Sequence, residues 1–207
     1  MSTSLRQCER IARDEGLAAG LAMAIAGTEV AATAPGRWAA VPTEGVRPGA
    51  EVRHHSLAER EGVTFLACPG RPPAAPASLA EIGRLLAAVR LGLVRRLLDQ
   101  AVEHLGERTA GDEPLIRKQL ITGTIADTMA EVELLREQAH APHDPATLCD
   151  LHLRLDELGW QVLTLFGAAG YLADHPARAL HVSFLVANTW IDREAGEDRA
   201  DREGGLS

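Results

Sequence analysis

Leu79, Ile82, Leu86, Val89, Leu93 and Leu97 recur at three- and four-residue steps, and Val102 closes the series. That period places one continuous apolar stripe along a long helix, and the stripe demands partners to bury it. The sequence supplies three. Ile121, Ile125, Met129, Val132 and Leu135 mark a second helix over about 114–140. Leu148, Leu151, Leu155, Leu158, Val162 and Leu165 mark a third, and Leu180, Phe184, Ala187 and Ile191 a fourth. Short connections between long helices predict a mainly α protein, an antiparallel four-helix bundle over 79–192. Ser78 stands where an N-cap belongs, with Glu81 three residues on as in a capping box. Asp144-Pro145 reads as an N-cap and first-turn proline, and Asp174 with Pro176 as the start of the fourth helix.

Ahead of the bundle the pattern differs. Residues 2–19 predict a short helix. LAMAIAG, TEVAATA, RWAAVP, GAEVRHHSL and GVTFLACPG then follow as short runs between Gly and Pro, which suggests strands, although 17–26 also fits an extension of the helix. This makes 1–70 a small β-containing N-terminal part. Residues 71–78 form a Pro-rich linker, and the charged, unpatterned 193–207 reads as a disordered acidic tail. A net charge of −8 and 3% aromatic residues argue against nucleic acid as a partner. No charge-free apolar run reaches the length of a membrane span. The first residues carry acids rather than a signal-peptide apolar run, and three widely spaced cysteines read as reduced thiols, so a cytoplasmic location is expected.

The stretch LFGAAGYLADHPARAL, residues 165–180, turns tightly on Gly167 and Gly170 and starts a helix abruptly. It resembles the C-terminal signature of the acyl-CoA dehydrogenase family, a Phe-Gly-Gly-x-Gly-[Tyr/Phe] turn followed four residues later by an acid, an aromatic, Pro and a helix. LLAAVRLGLVRRLLDQAVEHLGER (85–108) and RKQLITGTIADTMAEVELLREQA (117–139) resemble that family's first two bundle helices. GVRPGAEVRHHSLAEREGVTFLACPG (45–70) resembles the last strands of its β domain. The resemblance implies a truncated relative that keeps a reduced β part and the bundle.

That family removes an α-proton from an acyl thioester and passes a hydride to FAD, using a carboxylate base and a flavin held across subunits. The resemblance implies that Arg108, Gln119, Thr164, Gly167 and Ala168 face the flavin. Gly111 stands where the family has Phe, and Thr164 where it has Gln. For the base, the last-helix position is Ile191, with Asp192 one residue on. The first-helix position is Ile82, with Glu81 beside it. Val182 and Ser183 occupy the region of a family arginine. The resemblance therefore implies a subunit without its own base, in a homo-oligomer or paired with a full-length acyl-CoA dehydrogenase-like subunit. Its substrate is then an acyl thioester on CoA or a carrier protein.

A flavin-free assembly module on the same bundle is the alternative. A third reading gives Asp127 or Glu131, one turn apart on the second helix, a different chemistry. More simply they are a solvated face or partners for Arg90, Arg95 and Arg96. His140, His143, Cys149 and His152 have spacing that resembles a metal set, but Asp144-Pro145 already serves as a helix start, and no metal is expected. His54 and His55, adjacent in a strand, point to opposite faces.

Overall fold

The computed structural model describes residues 4–68, 76–141 and 144–191. Ser4 caps α1 (Leu5–Glu15), its hydroxyl accepting from the Gln7 N–H at 3.2 Å. Gly16, at φ 101°, breaks the chain into α2 (Leu17–Ala24), and a single turn, α3 (Val30–Thr33), follows. Three strands come next: β1 (Trp38–Pro42), β2 (Val52–Arg53) and β3 (Val63–Ala67), with the short α4 (Ser56–Arg60) between the last two. They form one antiparallel sheet in the order β1-β3-β2, with Ala40 opposite Phe65 and Val52 opposite Leu66.

The bundle begins with α5 (Pro76–Glu107), 32 residues long. A hairpin of β4 (Thr109–Ala110) and β5 (Glu113–Pro114) leads to α6 (Gln119–His140). Then come α7 (Pro145–Leu165), a 3-10 turn (Gly167–Tyr171) and α8 (Arg178–Trp190). α5 packs against α1, α2, α6, α7 and α8. Leu85 to Val94 are buried without interruption, so a helix that one stripe would half-bury is covered on every side. Two cores result. One joins α5 to the N-terminal helices, the sheet and α8, and the other joins it to α6, α7 and α8.

Small residues set the first interface. A Cβ at Gly20 would lie 2.7 Å from the Ala12 Cβ and 2.9 Å from Val89, and one at Gly92 would collide with the Glu9 carbonyl oxygen. Backbone approach this close excludes any larger side chain. Arg136 of α6 fastens α1 from the other side, holding Glu9 through Nε and Nη2 at 2.7–3.2 Å, with both side chains largely buried. The C-terminal end of α8 is tied to the sheet. Trp190 Nε1 donates to the Ala40 carbonyl at 2.9 Å, and Ala40 N–H donates to Thr189 Oγ1 at 3.0 Å.

Arg90 sits inside the fully buried run of α5. Its Nη1 lies 3.1 Å from His152 Nδ1 and donates to the His152 carbonyl at 3.0 Å, and its Nη2 is paired with Asp156. His152 Nε2 donates to the Gly83 carbonyl at 3.0 Å. One charge in the core is thus matched by an acid and a ring from α7, which fixes how α5 and α7 are aligned.

The mainly α bundle with a small β part is as expected, but several local expectations give way. Residues 17–24 are helix, because alanines and leucines favour it when α5 offers a face to pack on. Residues 30–33 are a helical turn rather than a strand. The first bundle helix starts at Pro76, so Ser78 is inside it and caps nothing, and Glu81 pairs with Arg84 at 3.0 Å. Proline suits a first turn and does not end the linker later. α6 starts at Gln119, since Gly111 and Pro114 build a hairpin instead. Asp144 does cap α7, accepting from Thr147 N–H at 2.8 Å. Asp174 does not cap α8, whose first turn is closed by backbone bonds to His175, Pro176 and Ala177. The expected tail at 193–207 lies outside the described residues, as does most of the expected linker.

Two stability predictions follow from the α1–α5 contact. Gly92→Ala should lose about 1–3 kcal/mol in urea unfolding, because the added methyl meets backbone. Gly123→Ala, exposed in α6 with nothing within 4 Å of its Cβ, should gain about 0.5–1 kcal/mol. Equal effects would mean that the close approach does not govern stability. Cys8 tests the same contact by titration. Burial, helped by the Glu81 charge, pushes its thiol up to about 11. The folded state therefore keeps a proton that the unfolded chain releases, so the Cys8 contribution should be constant below about pH 9 and stability should fall towards pH 11. Cys8→Ala should flatten that alkaline slope.

Candidate functional site

Because α5, α6 and α7 alternate in direction, the C-termini of α5 and α7 and the N-termini of α6 and α8 share one end of the bundle. All five residues singled out as flavin-facing lie at this end, and all five are exposed. Arg108 follows α5, Gln119 opens α6, Thr164 is in the last turn of α7, and Gly167 and Ala168 begin the 3-10 turn. The Arg108 carbonyl accepts from Leu115 N–H at 2.7 Å, which closes the β4–β5 hairpin. Its Nη1 donates to His104 Nε2 at 3.4 Å. Thr164 Oγ1 turns back to donate to the Gln161 carbonyl at 2.7 Å.

The two glycines of the turn do different work. Gly167 has φ +58° and open space around a would-be Cβ. Backbone at 167–168 is therefore presented bare, as close approach by a ligand or neighbour requires. Gly170 is enclosed: a Cβ there would lie 2.8 Å from the Leu163 carbonyl oxygen and 3.1 Å from the Phe166 Cβ. Gly170 thus lets the turn seat on α7, and Gly167 keeps it open outward.

Two histidines, not picked out from the sequence, brace the turn from below. Phe166 is buried, with the His104 ring 5.7 Å away and the His175 ring 4.6 Å away. His175 Nδ1 accepts from Ala177 N–H at 3.1 Å. Burial, then the neighbouring His104 and Arg178, hold its pKa below the ordinary histidine value. Only the four-residue step from His104 to Arg108 hinted at this cluster. Beside the turn, Trp160 and Tyr171 stack obliquely at 6.4 Å, and both they and Leu172 are more than half exposed. They make an apolar rim next to the bare backbone.

Glu81 lies at the other end of α5, about 40 Å from Arg108 at 1.5 Å per residue. It is exposed and ion-paired with Arg84. It borders an open cleft of about 600 Å³ between the α2–α3 segment and the start of α5, lined also by Gly27, Thr28, Glu29 and Ser78. Asp192 lies outside the described residues. Ile191 is buried in the bundle core. Glu131 is held by Arg154 at 2.5 Å and Glu133 by Arg95 at 3.1 Å, so the α6 acids form ion-pair rows. Arg90 instead turns to Asp156, and Arg96 to the α1 carbonyls of Arg13 and Asp14. Among the described residues no group of three or more His, Cys, Asp or Glu is placed to hold a metal. His143 lies outside them, and His152 is committed to the core. Among them, too, no helix is long and apolar enough to cross a membrane.

Comparison with known proteins shows what this bundle is similar to. The family model "Acyl-CoA dehydrogenase, C-terminal domain" matches residues 76–141, which are α5, the hairpin and α6. That stretch is similar to the C-terminal domain of acyl-CoA dehydrogenases. Solved structures extend the likeness to 77% of the chain. A variant of the Tcur3481-Tcur3483 steroid ACAD is 25% identical, with a TM-score of 0.55 over 77% of this chain and 50% of that one. The ChsE4-ChsE5 complex from Mycobacterium tuberculosis is 19% identical, with a TM-score of 0.52 over 77% and 50%. Butyryl-CoA dehydrogenase from Megasphaera elsdenii is 15% identical, with a TM-score of 0.53 over 77% and 46%. The chain thus spans about half the length of these acyl-CoA dehydrogenase structures. No curated protein matches it.

The depressed His175 pKa gives a signed prediction for this turn. Between the ordinary value near 6.5 and the lower folded value, the unfolded chain binds the proton first. Stability present above about pH 6.5 should therefore fall as the medium is acidified through that window. Melting temperature measured from pH 7.5 to pH 5 should drop less in His175→Asn, which keeps an acceptor for Ala177 N–H but does not titrate. Identical slopes in the two proteins would remove His175 as the cause.

Proposed function

We propose that this chain is an acyl-CoA dehydrogenase-like subunit that helps to form a flavin site across a subunit boundary. One observation carries the reading: the bare turn at 167–168 and the only described carboxylate candidate, Glu81, stand at opposite ends of α5. Glu81 is too far from a flavin at Arg108 to act on it within one copy, so under this reading the base comes from a second chain. That chain is another copy or a full-length acyl-CoA dehydrogenase-like subunit.

The residues at this end suit a dinucleotide in part. Exposed backbone at Gly167 and Ala168 offers close approach, the Arg108 guanidinium offers charge to an anionic group, and the Gln119 amide offers donors and an acceptor. A bound FAD would supply the hydride acceptor for α,β-dehydrogenation of an acyl thioester, on CoA or a carrier protein. This chain's part is to bind and orient. Glu81, exposed and paired with Arg84, lacks the burial that would tune a carboxylate as a base, so the partner supplies that group. Asp192 remains a proposed alternative one residue beyond the last described position. The ChsE4-ChsE5 relative is itself a complex of two components. A cytoplasmic location accords with such a role.

A second reading keeps the bundle for assembly without flavin. It is favoured by the Arg108 side chain's turn towards His104 and by Gly111, which leaves an open hairpin where a ring would help to grip a ligand.

The two readings part on Arg108→Ala. Under the first, the protein purified with its partner carries visible flavin absorbance, and the variant binds FAD about 10-fold or more weakly, as loss of a charge-assisted hydrogen bond implies. Oligomeric mass is unchanged. Colourless protein that takes up no FAD, alone or with any partner, overturns the first reading and supports the second.

A further inference from the structure

A second cavity, of about 130 Å³, lies between α5, α7 and α8, apart from the Glu81 cleft and opening at the Trp160 rim of the turn. Its walls are Val94, Leu155, Leu163, Leu180 and Phe184, with Ser183, whose hydroxyl donates to the Leu180 carbonyl at 2.7 Å. Gly159 of α7 creates it: a Cβ there would meet only Leu180, at 3.7 and 3.9 Å, so the missing side chain leaves a hollow beside a buried glycine. At the inner end stands the Arg90–Asp156 ion pair, already matched charge for charge and braced by His152. Trp160 and the exposed His181 stand at the mouth.

We propose that this cavity is a binding site for a small neutral apolar ligand, of one ring or about six carbons. Size is the first argument. An apolar cavity of roughly 150 Å³ holds a benzene-sized molecule, and this one is close to that. The lining is the second. Hydrocarbon walls give water few partners, so an apolar ligand displaces little that is well bound. Charge is the third: the acid and base at the inner end satisfy each other, so an ionic ligand would bury a charge without a counter-charge. The open mouth beside Trp160 is the fourth, because it gives entry without unfolding the bundle. A polar end on such a molecule would sit outward by His181. The site shares Trp160 with the rim of the turn, but its walls lie between the helices and neither proposal depends on the other.

Toluene is the probe. Near saturation it should raise the melting temperature of the full chain by about 2–5 °C and shift Trp160 emission. Trp160→Phe should keep the melting shift and lose the emission change, since Trp190 is buried and Trp38 lies in the sheet. Gly159→Ala adds a methyl at ordinary contact distance and should weaken toluene severalfold while keeping the helical circular dichroism. Gly159→Leu should fill the cavity and abolish the response. The proposal is overturned if wild-type protein shows neither response, or if Gly159→Ala and Gly159→Leu bind toluene as well as wild type does, which would place the probe elsewhere.

Discussion

The burial of α5 on every side is the constraint from which the rest of the molecule follows. A helix covered over Leu85–Val94 needs a neighbour on each face, and the chain provides α1 and α2 on one, α6 and α7 on others, and α8 across them. The consequences are specific. Glycines at 20 and 92 admit α1 and α2 at backbone distance. A charged residue buried on such a helix is largely removed from water, so Arg90 finds its partners inside, Asp156 and His152 among them. Breaking either side of that set would strand a buried charge.

The same helix separates the two ends of the molecule. Because α5 is long and unbroken, what lies at Pro76 and what lies at Glu107 cannot meet within one chain. Under the proposed function, the bare turn at Gly167 is one half of a site that a neighbour completes. The bundle's likeness to the acyl-CoA dehydrogenase C-terminal domain accords with that arrangement. The apolar rim of Trp160, Tyr171 and Leu172 beside the turn is the kind of surface that such a neighbour would cover.

Local patterns carried much of this into view. The three- and four-residue steps from Leu79 onward dictated α5, Asp144-Pro145 dictated the start of α7, and Gly167 with Gly170 dictated the turn, each through contacts within a few residues of chain. What stayed hidden depends on distant partners. The alanine-rich 17–24 reads as strand or helix until α5 supplies a face for it. Glu81 reads as a capping acid until Pro76 is seen to start the helix. Arg90, grouped with Arg95 and Arg96 as a partner for the acids of the second helix, meets instead residues 62 and 66 positions away. His104 and His175 come together only because Phe166 is seated between them. Among the site residues, position at one end of the bundle was legible from helix order alone, whereas the turning of Arg108 towards His104 was not.

Hydrogen–deuterium exchange on the protein together with its partner subunit and FAD tests the central claim most directly. If the bare turn is completed across a subunit boundary, amides from Gly167 to Tyr171 slow on assembly with flavin, while those around Glu81 in the same chain do not slow in step with them unless that end too meets a neighbour. Flavin bound with the 167–171 amides exchanging as fast as in the free chain would contradict the account.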